Sequence, residues 1–105
     1  MVRIPTHRAP THPGQIVLHE FLEPFGMTQH EAADRLGVSR VRLNQIINAR
    51  RGVTPDTALR LARLFGMQAR TWLNLQLAWD LYEAMHAPGS LEINKIQRVR
   101  RLTRV

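Results

Sequence analysis

The sequence predicts an all-α fold: five helices around one core, a helix-turn-helix formed by the second and third, and a basic C-terminal tail. Three observations carry that expectation. Residues Gln29 to Asn48 show the spacing of two short helices joined by a tight turn. Two later stretches, near 55–65 and 69–86, bring apolar residues back at helical intervals. Proline and glycine stand where such helices would begin and end.

The first helix begins at Pro13-Gly14, with proline in the first turn, and is expected to run to Glu23 before Pro24 stops it. Ile16, Leu18, Phe21 and Leu22 supply its apolar side. Thr28 is placed to cap the second helix and Gly37 to end it in the left-handed conformation. Ala33 is small where the next helix must cross, and Ser39 can accept from the free amides of that next helix. The third helix then covers about Arg40 to Asn48, with Leu36, Val38, Leu43 and Ile46 sealing its underside. After a loop at Arg50-Arg51-Gly52-Val53, Thr54-Pro55-Asp56 opens the fourth as cap, first-turn proline and an acid at the positive helix end. Ala58, Leu59, Leu61, Ala62 and Phe65 give it a broad apolar stripe, and Gly66 closes it.

The fifth helix, Ala69 to His86, has more apolar surface than one core can use. At about 100° per residue, Trp72, Leu75, Trp79 and Tyr82 share one side, while Leu73, Leu77, Leu81 and Ala84 share another. Gln76, Asp80 and Glu83 leave a narrow polar sector. A helix apolar on most of its circumference needs two neighbours. One is the domain core; the other is a second copy, meeting it through Trp72, Leu75, Trp79 and Tyr82, or else the chain's own tail folding back. Pro88-Gly89 stops the helix, and Leu91 to Arg100 alternates apolar and polar, the period of a strand, though a short amphipathic helix or a loose tail fits too. The expected organisation is a flexible arm over 1–12, a helix-turn-helix domain over 13–87 with a dimerising last helix, and a basic tail over 88–105.

Composition narrows the function. The 105 residues suit one domain, and the net charge is +7. That charge is uneven: 39–51 carries four arginines and no acid, the tail is strongly basic, and 13–38 is acidic. Such clustering is the electrostatic footprint of nucleic-acid binding. With no cysteine there is no disulfide framework and no thiolate metal site. The start lacks an apolar targeting core and no run approaches a membrane span, which suits a cytoplasmic, nucleoid-associated protein and no membrane partner. His7, His12, His19, His30 and His86 show no ligand spacing, and no nucleophile-and-base arrangement or phosphate loop is visible. We therefore expect no metal, no cofactor and no enzyme activity.

Double-stranded DNA is the expected ligand, read by the outward side of the third helix. Arg40, Val41, Asn44, Gln45 and Asn48 are the candidate base contacts, since their donors and methyls suit base edges in a major groove. Gln29, Ser39, Arg42, Arg50 and Arg51 are the candidate backbone contacts, with Arg42 angled toward the flank of the helix.

Several ordered motifs add a resemblance. They are His12-Pro13-Gly14, Phe21-Leu22-Glu23-Pro24, Leu36-Gly37-Val38-Ser39-Arg40 and Ile47-Asn48-Ala49-Arg50-Arg51-Gly52. Val53 to Leu61 and Trp72-Leu73-Asn74-Leu75-Gln76 with Asp80-Leu81 continue the series. Together they resemble the HigA-type antitoxins, a branch of the Xre/Cro repressor-like helix-turn-helix proteins, over residues 12 to about 83. The resemblance implies a lambda-repressor-like DNA-binding domain and a homodimeric autorepressor on a palindromic operator. It also implies a cognate toxin partner of the RelE-like, mRNA-cleaving class, for which the acidic 13–38 region is the complementary surface. Two departures stand out: Gln68-Ala69-Arg70-Thr71 lacks the family's capping serine before the last helix, and the tail is basic. A stand-alone regulator of the same family without a toxin, or a protein-interaction module on the same scaffold, are the alternatives.

Overall fold

Residues 9–100 are described by the structure, a computed structural model. Helix α1 is a single rod made of a turn at Pro13–Ile16, a π-helical stretch at Val17–Leu22 and a closing turn at Glu23–Phe25. Helices α2 (Gln29–Leu36) and α3 (Arg40–Ile47) form the helix-turn-helix. Then follow α4 (Pro55–Phe65), α5 (Ala69–His86) and a short α6 (Ser90–Asn94). No strand occurs among the described residues. Residues 1–8 of the expected arm, with His7, and residues 101–105 of the tail lie outside the described range.

The starts and stops follow local chemistry. Thr28, Ser39 and Thr54 each accept a backbone N–H at the third helical position, at 3.0, 3.0 and 3.3 Å. Gly26, Gly37 and Gly66 end α1, α2 and α4 with positive φ, which costs little without a β-carbon. Helix α5 begins at Ala69 with no side-chain cap at Gln68, so its start rests on packing. Trp72, one turn in, is completely buried and supplies that anchor.

Two expectations are corrected here, and one left open is decided. Pro24 does not stop α1; the helix continues to Phe25 and ends at Gly26. The reason is the π-helical stretch, in which Glu23 N–H donates to the Leu18 carbonyl five residues back. A proline ring collides with the carbonyl four residues before it in an α-helix, and the wider turn shifts that carbonyl aside. Of the three conformations left open for the tail, its first part takes the short helix, α6, entered through Gly89 in the left-handed conformation. Gln76 does not belong to an outward polar sector. It is buried, accepts from Val53 N–H at 2.7 Å and donates to Asp80 Oδ1 at 2.9 Å, so it satisfies the loop between α3 and α4. A β-carbon at Gly52 would lie 3.1 Å from the Gln76 carboxamide, which explains the glycine in that loop.

The core gathers Val17, Leu22, Ala32, Ala33, Leu36, Leu43, Ile46, Ile47, Val53, Ala58, Leu61 and Trp72. Phe21 stacks on Phe65 at 4.5 Å and leans on Trp72 at 5.8 Å, fastening α1, α4 and α5 together. Helix α5 thus buries the side that carries Trp72. Its opposite side keeps Leu77, Leu81 and Met85 exposed at 48, 41 and 43 %. Of the residues expected at a dimer surface, Trp72, Leu75, Trp79 and Tyr82, the first is fully buried and cannot meet a second copy, and the other three are half-buried. Trp72 is core, and Leu75 packs against the core. Trp79 meets the His12 ring edge-on at 5.0 Å, and Tyr82 stacks on His86 at 4.1 Å. The larger aromatic side wins the interior because it buries more surface per residue.

Candidate nucleic-acid interface

The seat of α3 is built by α1. His12 is 3 % exposed, and its Nδ1 accepts from Gly14 N–H at 2.9 Å, so the imidazole caps α1 while its ring packs on Trp79. Pro13 then fills the first turn, where no N–H is missed. Gly14 lies directly on the end of α3: a β-carbon there would come within 1.8 Å of the Ile46 carbonyl oxygen. Gln15 Nε2 donates to the Ile47 carbonyl at 2.8 Å, satisfying one of the open acceptors at that helix end. His19 bridges Gln15 Oε1 at 3.1 Å and Glu23 Oε1 at 2.9 Å, which orients the glutamine. The His-Pro-Gly motif is thus a device for fixing α3.

Burial holds the His12 pKa below its ordinary 6.5, with nearby Asp80 pulling weakly the other way. Nδ1 must be unprotonated to accept from Gly14. The cap contributes stability that is complete above about pH 6.5 and is lost as pH falls below that value through the lowered folded pKa. Thermal melts from pH 7.5 to 5 should show a falling Tm, and His12→Asn, which can cap without titrating, should flatten the fall. An unchanged slope in that variant would remove His12 as the cause.

Helix α3 turns Leu43, Ile46 and Ile47 inward and leaves Ser39, Arg40, Val41, Asn44 and Asn48 exposed, with Gln45 half-buried at the edge. Val41 is 66 % exposed, unusual for a β-branched apolar side chain on a short helix. All five expected base-contacting residues therefore share one open side. The guanidinium of Arg40 makes no hydrogen bond or ion pair among the described residues, nor does that of Arg50. The amides are pre-set: Asn44 Nδ2 donates to Gln29 Oε1 at 3.2 Å, and Asn48 Nδ2 donates to the Asn44 carbonyl at 2.9 Å. Arg51 Nε donates to Gln45 Oε1 at 2.9 Å, so the arginine after α3 holds a side chain on it.

Past the end of α3, Ala49 adopts a left-handed conformation with φ 59°, and Arg50 N–H donates to the Gln45 carbonyl at 2.8 Å. This cap closes the helix end, and Arg51 just beyond it reaches back to Gln45.

Arg42 departs from the others. Its Nη2 donates to Thr57 Oγ1 and pairs with Asp56 Oδ2 at 3.4 Å, on the first turn of α4. The same Asp56 oxygen accepts from Arg60 Nε at 2.8 Å. Arg60 Nη1 in turn donates to the Leu36 carbonyl at 2.9 Å, at the turn between α2 and α3. Hydrogen bonding from Arg60, then the charges of Arg60 and Arg42, hold the Asp56 carboxyl below its ordinary pKa. The sequence placed Asp56 by helix electrostatics alone; its partners, 14 residues back and four ahead, come from the fold.

Known proteins share this architecture. Residues 18–73 match the helix-turn-helix family. Virulence-associated protein I of Dichelobacter nodosus is 48 % identical over 82 residues, covering 78 % of this chain and 76 % of its own length. Antitoxin HigA-1 of Vibrio cholerae is 39 % identical over 79 residues, 74 % of this chain and 73 % of its own. Among solved structures, antitoxin GraA in complex with its operator superposes with a TM-score of 0.80 at 35 % identity, over 94 % of this chain and 100 % of that one. With its helix-turn-helix, its His-Pro-Gly seat and these relatives, the chain belongs to the Xre-like helix-turn-helix family, in the branch of the HigA-type antitoxins.

Proposed function

We propose that this protein is the antitoxin of a type II toxin–antitoxin module. In this reading it represses its own operon as a homodimer on a palindromic operator and neutralises a RelE-like, mRNA-cleaving toxin. The observation that carries the DNA half is the open face of α3, where Arg40, Val41, Asn44, Gln45 and Asn48 stand together. A major groove accepts such a helix, and these side chains offer guanine, adenine and thymine contacts. Gln29, Ser39, Arg50 and Arg51 flank it as backbone contacts. The toxin half is supported by the named antitoxin relatives, and the acidic α1–α2 region is the surface that suits a basic toxin. Homodimerisation would use the uncovered side of α5. There Leu81, Ala84 and Met85 join Ile93 of α6 along a groove of about 410 Å³.

Arg40→Ala should cost roughly 1–3 kcal/mol of operator binding and relax preference at one base position per half-site. Arg50→Ala should instead weaken binding to all duplexes alike and reduce the salt slope by about one. Titrations of operator variants across salt separate the two, and an Arg40→Ala protein with intact affinity and preference would show that α3 reads in another register. For the toxin, the test is co-expression with the product of the adjacent gene. A stable complex and restored growth are expected, and an unrelated, harmless neighbour would favour a stand-alone regulator.

A further inference from the structure

We infer that Asp56 acts as a latch that holds Arg42 off the DNA backbone and thereby limits sequence-independent binding. The inference rests on the DNA-binding reading above. Four arginines lie in residues 39–51, and of these Arg42 alone is ion-paired among the described residues. It follows Val41 of the open face, yet its side chain is only 29 % exposed because it turns toward α4. A protein that uses arginines for phosphate contacts has here set one against an acid instead.

The geometry makes the carboxylate separable from the fold. Asp56 is itself exposed, and Arg60 has a second acceptor in the Leu36 carbonyl. Thr57 Oγ1 and, in Asp56→Asn, a neutral carboxamide oxygen are all that is left to hold Arg42 once the charge is removed. Neutral acceptors compete poorly with phosphate for a guanidinium, so the freed side chain would swing to the backbone. On non-operator DNA the helix samples many registers, and a long flexible arginine finds a phosphate in each. On operator DNA the base contacts fix the register, and the gain is confined to whatever phosphate that register presents. Preference for the operator should therefore narrow.

The experiment compares wild type, Asp56→Asn, Arg42→Met and the double variant on two duplexes, one from upstream of the gene and one scrambled. Fluorescence anisotropy is read from 50 to 200 mM NaCl, with circular dichroism to verify folding. Asp56→Asn should bind the scrambled duplex more tightly than wild type and steepen its salt slope by about 0.9, so that it loses about 3.5-fold more affinity over that range. The double variant should lose the gain. A purely structural role for Asp56 would weaken both duplexes and leave the slope alone. That result overturns the latch, as does a gain that persists without Arg42, which would mean simple repulsion by the carboxylate. A wild-type chain that binds neither duplex would overturn the DNA-binding reading itself.

Discussion

Gly14→Ala is expected to destabilise the domain by about 3 kcal/mol and to weaken DNA binding along with it. The direction is diagnostic because helix propensity points the other way. Alanine in a helix is normally better than glycine by roughly 0.5–1 kcal/mol, so a variant judged on local preference should gain stability. The added methyl, however, would stand 1.8 Å from the Ile46 oxygen, 2.6 Å from its carbonyl carbon and 2.8 Å from Ile47 Cα. All three are backbone atoms, and none can rotate aside. Helices α1 and α3 must separate, which also breaks the Gln15 bond to the Ile47 carbonyl. Since α3 carries the face proposed to read DNA, the tilt of that face changes with the seat. Chemical denaturation should show the midpoint moved down with an unchanged m-value, and residual folded protein should bind operator more weakly. A variant as stable as wild type would mean that α1 does not seat α3 as described.

That contact also shows where sequence reasoning stops. Periodicity and punctuation placed the helices well, because caps and glycine stops are local: Thr28, Ser39, Thr54, Gly37 and Gly66 all sit where their chemistry suggests. The open face of α3 was legible for the same reason, since the inward residues of an eight-residue helix define the outward ones. What stayed hidden depends on partners far along the chain. Pro13 was read correctly, but the need for glycine beside it lies 32 residues away, at Ile46. Arg42 was angled to the flank as expected, yet nothing in its neighbourhood announces Asp56. Gln76 looked like surface because it is polar; the unpaired Val53 amide that recruits it belongs to another loop. Pro24 misled because a helix-stopping rule assumes α geometry, and α1 is π-helical just before it.

Trp72→Ala and Leu81→Asp should separate folding from association along α5. Trp72 is wholly buried, touches Phe21 and anchors a helix start that has no side-chain cap. Replacing it by alanine leaves a cavity at the junction of α1, α4 and α5, and should cost about 3–5 kcal/mol. A domain of this size holds only about 5–15 kcal/mol of stability, so the variant should be largely unfolded or close to it at 37 °C. The Trp72 Nε1–H has no acceptor in the core, which offsets a small part of that loss when the indole is removed. Leu81, by contrast, is 41 % exposed beside Met85, and its methyls leave the core untouched. Aspartate there stays solvated in the free chain, so the melt should barely move. In a two-fold contact the same charge would be buried opposite apolar groups and, through symmetry, would enter twice. Sedimentation velocity should therefore show a dimer for wild type and a folded monomer for Leu81→Asp. A Leu81→Asp protein that remains dimeric would move the interface elsewhere. A Trp72→Ala protein that is folded and monomeric would return it to the aromatic side, where the amphipathic pattern alone had placed it.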